Sequence, residues 1–193
     1  MQNLNAKSVG ALARTLGDEL LAKDKKVAAV ESCTGGGVAF AITEVAGCSQ
    51  WFEKSWVTYS NQSKNQEVGV SVATLATFGA VSSEVVCEMA EGGLRKSGAD
   101  LCVSISGIAG PGGGTASKPV GLVWFAIAIM SSGADPELVK SIDTLHAKNS
   151  ANKPSNQIYT RCFSRCFSGD RQQVREQAIN LALKELIISL VNM

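Results

Sequence analysis

The tightest constraint on the fold of this chain is the stretch AAVESCTGGGVAF, Ala28 to Phe40. An apolar run stops at Glu31, Ser32, Cys33 and Thr34, three glycines follow, and apolar residues then resume. The run before the break, KVAAVES, has the length of a buried strand, and GGGVAFAITEVAG reads as a helix closed by Gly47. A strand that passes into a helix through glycines leaves the first N–H groups of the helix pointing outward, where a ligand can approach them closely. Ser32 or Thr34 is equally suited to capping that helix, with the glycines packed against a sheet.

The remaining segments extend the alternation. SVGALARTLGDELLAKDK places Val9, Leu12, Leu16, Leu20 and Leu21 at helical spacing, which predicts an amphipathic helix covering one face of a sheet. SWVTYS predicts the second strand, and the polar NQSKNQEVG after it reads as a turn or a single helical turn. VSSEVVCEMAEGGLRKSGA predicts a helix with Ser82 or Ser83 as N-cap and Gly98 near its end. Two β-rich runs in DLCVSISGIAGPGGGTASKPVGLVWFAIAIM flank a long glycine-rich loop and are expected to be buried neighbours. ELVKSIDTL and QIYTRCFSRCF predict two more strands, joined by HAKNSANKPSN as an exposed hairpin loop, and Arg171 to Val191 predicts a long final helix. The expected fold is α/β: a three-layer α/β/α arrangement with a central mixed β-sheet, in a single domain spanning residues 1–193.

Composition removes several function classes. With 45% hydrophobic and 18% charged residues and a net charge of +1, the chain reads as an ordinary soluble globular protein. Its 18 Lys and Arg are scattered, so the basic footprint of a nucleic-acid binder is missing. No apolar stretch reaches the roughly 18 residues of a membrane span, and MQNLNAKSVG has no apolar signal core, so no membrane partner and a cytoplasmic location are expected. The six cysteines form no C-x-x-C and the sole histidine is His146, so reduced thiols and no metal are expected.

Three segments and one arginine are candidates for chemistry. Ser32 would need a base, and with no histidine nearby in sequence the choices are Lys, Tyr, Asp or Glu. YSNQSK supplies Tyr59 and Lys64, but an ordinary lysine is neutral in only about one molecule in a thousand near pH 7.4, so burial or a neighbouring positive charge must lower its pKa. An exposed loop lysine and a strand-end tyrosine are the alternative. SGIAGPGGGT lacks the Gly-Lys-Ser/Thr ending of a P-loop, and Thr115 stands where G-x-G-x-x-G requires its last glycine, which leaves a backbone cradle for an anion or a plain connector. In GDRQQVR, Asp170 suits an N-cap whereas Arg171 opposes the helix dipole, either held for an anionic ligand or carboxylate or lying along the surface.

The order ESCTGGGVA, YSNQSKNQEVGV, VSSEVVCEMAEG, ISGIAGPGGGT and GDRQQVREQAI resembles the C-terminal domain family of the competence-damage-inducible protein CinA over nearly the whole chain. The resemblance implies a nicotinamide-nucleotide amidase, which converts nicotinamide mononucleotide and water to nicotinic acid mononucleotide and ammonia without a cofactor. It further implies a serine nucleophile at Ser32, activated by Tyr59 and Lys64, and a homo-oligomer. Backbone groups of Thr34, Gly35 and Gly36 are then candidates for holding the oxyanion. Ser106, Gly107, Gly110, Gly112, Gly113 and Arg171 are candidates for holding the phosphate. The chain departs from the pattern at Ser106, where threonine is expected, and in HAKNSANKPSNQ, which is longer than the usual connection. It is expected to be a stand-alone form without the nucleotide-processing N-terminal domain of longer CinA proteins. Two other classes compete: a non-catalytic nucleotide-binding or regulatory protein of the same fold, and a hydrolase using Cys33, for which the sequence supplies no evident thiolate-stabilising base.

Overall fold

Period-two burial on both faces of the strands organises the molecule. In the computed structural model, which describes residue 4 and residues 7–130 and 157–191, strand β1 (Val27–Glu31) is buried at all five positions. Val27 and Ala29 join one apolar core, and Ala28 and Val30 join a second on the opposite face. The same split runs through β3 (Leu101–Gly107) and β4 (Leu122–Met130): Val103, Ile105, Phe125 and Ile127 face the first core, Cys102, Ala126 and Ala128 the second.

The sheet has the order β2-β1-β3-β4-β5, with β2 at Phe52–Val57 and β5 at Ile158–Cys166. β2, β1 and β3 run parallel, and β4 and β5 continue antiparallel, making the sheet mixed. Helices α1 (Val9–Ala22), α2 (Gly37–Thr43) and α6 (Arg171–Val191) cover the first face. Helices α3 (Asn61–Val68), α4 (Val72–Phe78) and α5 (Ser83–Ser97) cover the second, completing the expected α/β/α layers.

The second layer sits unusually close to its neighbours. A Cβ on Gly93 would lie 2.5 Å from Val30 Cγ2 and 2.7 Å from Cys102 Sγ, and one on Gly92 would lie 1.7 Å from the Val68 carbonyl oxygen. Glycine at these two positions lets α5 press against the sheet and α3 press against α5.

Several boundaries differ from expectation. β2 begins at Phe52, not Ser55, because its pairing with β1 starts opposite Val27, and it ends at Val57. NQSKNQEVG is a full helix: Ser60 and Ser63 form a reciprocal capping box and Gly69 closes it in the left-handed region. Helix α4 was not expected from its β-branched sequence VATLATF, and the Ser71 side chain caps it. Ser82 rather than Ser83 caps α5, and Gly98 ends it. The predicted strand ELVKSIDTL and the loop HAKNSANKPSN lie outside the described residues.

Candidate active site at the carboxyl edge of the sheet

Strand order reverses at β1: β2 and β3, the next two strands in the chain, lie on opposite sides of it and parallel to it, and the carboxyl ends of parallel strands at such a switch point form a crevice. Glu31 ends β1 there. Its fully buried carboxylate accepts hydrogen bonds from the Val38 N–H (3.1 Å) and the Ala39 N–H (2.9 Å), anchoring the start of α2. Those two donors are therefore already occupied. Glu31 escaped sequence analysis, although a carboxylate closing a fully apolar strand just before a helix is itself a signal for such a cap.

Ser32 follows, 8% exposed, its N–H donating to the Ile105 carbonyl at 2.9 Å. The turn after it closes through two bonds, Gly35 N–H to Ser32 O (3.0 Å) and Gly37 N–H to Thr34 O (3.2 Å). Gly35 is thus committed as a donor within the turn, whereas the N–H groups of Thr34 and Gly36 make no hydrogen bond among the described residues. Thr34 is fully buried and its hydroxyl has no partner there.

Lys64, on α3, reaches the nucleophile candidate from below the crevice. Its Nζ lies 3.2 Å from Ser32 Oγ, 2.7 Å from the Thr58 carbonyl oxygen and 3.5 Å from the Tyr59 carbonyl oxygen, with the residue 1% exposed. Burial lowers its pKa from the ordinary 10.5 to about 8. At that value about a fifth of the amines are neutral at pH 7.4. A neutral amine has two N–H donors and one lone pair, and two carbonyls together with one hydroxyl match that set. The Ser32 hydroxyl can then donate to the lone pair.

Tyr59 is brought to the site by its backbone carbonyl, while its side chain is exposed and its hydroxyl accepts from Arg171 Nη2 at 3.0 Å. Arg171 Nη1 donates to the Gly110 carbonyl at 2.9 Å, so this one guanidinium joins the tyrosine to the glycine-rich loop. Asp170 caps α6, its Oδ1 accepting from the Gln173 N–H at 2.9 Å.

Within that loop the candidates separate. The Ser106 hydroxyl donates to the Ala80 carbonyl at 2.7 Å, so it serves the join between β3 and the segment before α5. Gly107 is the last residue of β3, where a Cβ would lie 2.7 Å from the Leu122 carbonyl oxygen. The N–H groups of Gly110, Gly112 and Gly113 make no hydrogen bond among the described residues, and Gly112 and Gly113 are exposed. They make no hydrogen bond to Ser32 or Lys64.

The neighbouring thiol is poorly suited to nucleophilic attack. Cys33 is 6% exposed, and burial, reinforced by the Glu31 carboxylate, pushes its pKa up to about 11. Among the described residues, no group of three or more His, Cys, Asp or Glu side chains is placed to hold a metal ion, and no helix is long and apolar enough to cross a membrane.

A cleft of about 1060 Å³ opens on the outer side of the turn, between α1, α2 and α6. Gly35, Gly36, Gly37, Phe40, Arg171 and Arg175 contribute to its walls. Arg175, which sequence analysis passed over, donates from Nη2 to the Thr34 carbonyl at 2.9 Å.

Comparison with known proteins identifies the family of the chain. The family model described as the CinA C-terminal domain matches residues 9–151. The chain is 45% identical over 188 residues to the nicotinamide-nucleotide amidohydrolase PncC of Enterobacter agglomerans, covering 95% of this chain and 99% of that protein. It is 56% identical over 117 residues to the protein of the same name from Escherichia coli strain K12, covering 61% and 71%. Among solved structures, the competence damage-inducible protein A of Klebsiella pneumoniae superposes with a TM-score of 0.79 at 30% identity, covering 96% of this chain and 98% of that one.

Proposed function

Because this chain belongs to the CinA C-terminal domain family, we propose that it hydrolyses the carboxamide of nicotinamide mononucleotide to nicotinic acid mononucleotide and ammonia, with Ser32 as nucleophile and Lys64 as its base. The observation that carries the reading is the buried Lys64 amine, lowered toward neutrality and 3.2 Å from Ser32 Oγ. Identity to nicotinamide-nucleotide amidohydrolases over nearly the full chain supports the substrate.

Ser32 Oγ attacks the carboxamide carbon while its proton passes to Lys64 Nζ. The oxygen that gains charge is met by the unengaged N–H groups of Thr34 and Gly36. Lys64 returns the proton to the departing nitrogen, ammonia leaves, and an ester on Ser32 remains. Water then adds to that ester, losing its proton to Lys64, and the second collapse releases nicotinic acid mononucleotide and restores the Ser32 hydroxyl. Tyr59 contributes its carbonyl to Lys64 and its hydroxyl to Arg171, a role in shaping the site rather than in relaying the proton.

The substrate phosphate supplies binding energy away from the reacting amide. Arg171 and the unengaged N–H groups of Gly110, Gly112 and Gly113 are the groups we assign to it, supported by the Arg171 bond to the Gly110 carbonyl. A place in pyridine nucleotide recycling, a cytoplasmic location and a homo-oligomeric state belong to the same reading. The test is incubation of the purified protein with nicotinamide mononucleotide, following ammonia and nicotinic acid mononucleotide together. Equal amounts of both products are expected. Saturable nucleotide binding without either product would instead favour a binding or regulatory protein of the same fold.

A further inference from the structure

Arg171, Arg175 and Ile179 recur every four residues and so share one stripe of α6. Each holds a different part of the crevice. Arg171 ties Tyr59 to Gly110, and Ile179 covers Gly37 so tightly that a Cβ there would lie 2.4 Å from Ile179 Cδ1. Arg175, between them, donates to the Thr34 carbonyl, which also accepts from the Gly37 N–H.

The turn gripped in this way has little stiffness of its own. Gly35 and Gly36 adopt φ values of +59° and +90°, a region that glycine reaches freely, but glycine also gives the chain the most freedom to leave it. The Thr34 carbonyl and the Gly35 N–H belong to one peptide group. Pinning that carbonyl from outside, while Gly35 donates to Ser32 O, fixes the plane of the peptide between two unengaged donors, Thr34 N–H and Gly36 N–H.

We infer that Arg175 is a positioning residue: its guanidinium locks the Thr34–Gly37 turn so that the Thr34 and Gly36 N–H groups converge on the oxyanion, without itself touching the substrate. The inference rests on the amidase reading for its effect on rate, and on geometry alone for its effect on the turn. Lysine would substitute poorly, because the single bond from Arg175 Nη2 to the Thr34 carbonyl is aimed by a rigid guanidinium plane, and an ammonium on a shorter, flexible stem does not fix that direction.

The experiment compares wild type with Arg175→Ala and Arg175→Lys on nicotinamide mononucleotide, with and without guanidinium ion at concentrations that do not denature the protein. It also measures hydrogen exchange at the Gly35 and Gly37 amides. Misaligned oxyanion donors lower kcat by tenfold or more as a rough expectation, with KM little changed. Arg175→Lys should stay low. Added guanidinium, entering the cleft that Arg175 lines, should restore part of kcat in Arg175→Ala and slow the accelerated amide exchange. An active wild type with unchanged kcat in Arg175→Ala overturns the inference and leaves the amidase reading standing. If wild type releases no ammonia, the amidase reading fails, and amide exchange alone decides: unchanged exchange in Arg175→Ala overturns the locking role.

Discussion

Lys64 Nζ lies 3.2 Å from Ser32 Oγ, and the amine is enclosed so completely that its charged form loses the solvation it would have in water. Activity should therefore follow the neutral amine. We expect kcat/KM to rise with pH through an apparent pKa of about 8 and then level off. A profile that is flat from pH 6 to 9 would contradict Lys64 as base, and one that rises only near the ordinary lysine value would contradict the lowering of its pKa by burial. Stability follows the same proton. The folded pKa is below the unfolded 10.5, so between about 8 and 10.5 the unfolded chain binds more protons and the Lys64 contribution to stability rises with pH. Below about 8 both states are protonated and the full cost of the buried charge is present. Lys64→Met should remove this slope, as read from urea unfolding at a series of pH values.

Gly92 determines how α3, and hence Lys64, is seated. A methyl group at Gly92 would lie 1.7 Å from the Val68 carbonyl oxygen, a backbone atom that cannot rotate away. Gly92→Ala should lose about 3 kcal/mol of stability despite alanine's better helix propensity. The denaturant midpoint checks this, and an unchanged or raised midpoint would show that α3 and α5 separate at little cost.

Cys33 should be silent. With its pKa raised to about 11 by burial, it should resist iodoacetamide at pH 7.5 while exposed Cys166 reacts, as peptide mass spectrometry can establish. Cys33→Ala should retain amidase turnover. Loss of turnover in a folded Cys33→Ala protein would revive a thiol-based reaction.

Arg171 should act on binding more than on chemistry. Removing a guanidinium that contacts phosphate weakens ground state and transition state together, so Arg171→Ala should raise KM for nicotinamide mononucleotide by about tenfold and leave kcat within a few-fold. The effect should shrink with nicotinamide riboside, which lacks the phosphate. A fall in kcat alone would place Arg171 with the reacting atoms instead.

Much of the frame was legible in the sequence because it is written in local pattern. The β1 run, the glycine break and the final helix from Arg171 to Val191 all follow from apolar spacing and caps. Helix α3 was underestimated because it has scarcely any apolar face: a capping box at Ser60 and Ser63 supports it, and burial of Val68 and the Lys64 stem seats it. Ser32 and Lys64 could be nominated from residue type and family resemblance, but their proximity spans 32 residues and depends on how α3 folds back under β1. Arg175 is not legible because its partner is a backbone carbonyl, which exists at every position and leaves no mark in a sequence, whereas Glu31 is marked by its place between an apolar strand and a helix.

The measurement that bears most directly on the central claim is ammonia release from nicotinamide mononucleotide by wild type and by Ser32→Ala, with circular dichroism to confirm that both are folded. Wild type should release one ammonia for each nicotinic acid mononucleotide formed. Ser32→Ala should fall by a factor on the order of a thousand or more, since both the nucleophile and the ester route disappear. Turnover that survives in the folded Ser32→Ala protein would contradict the account.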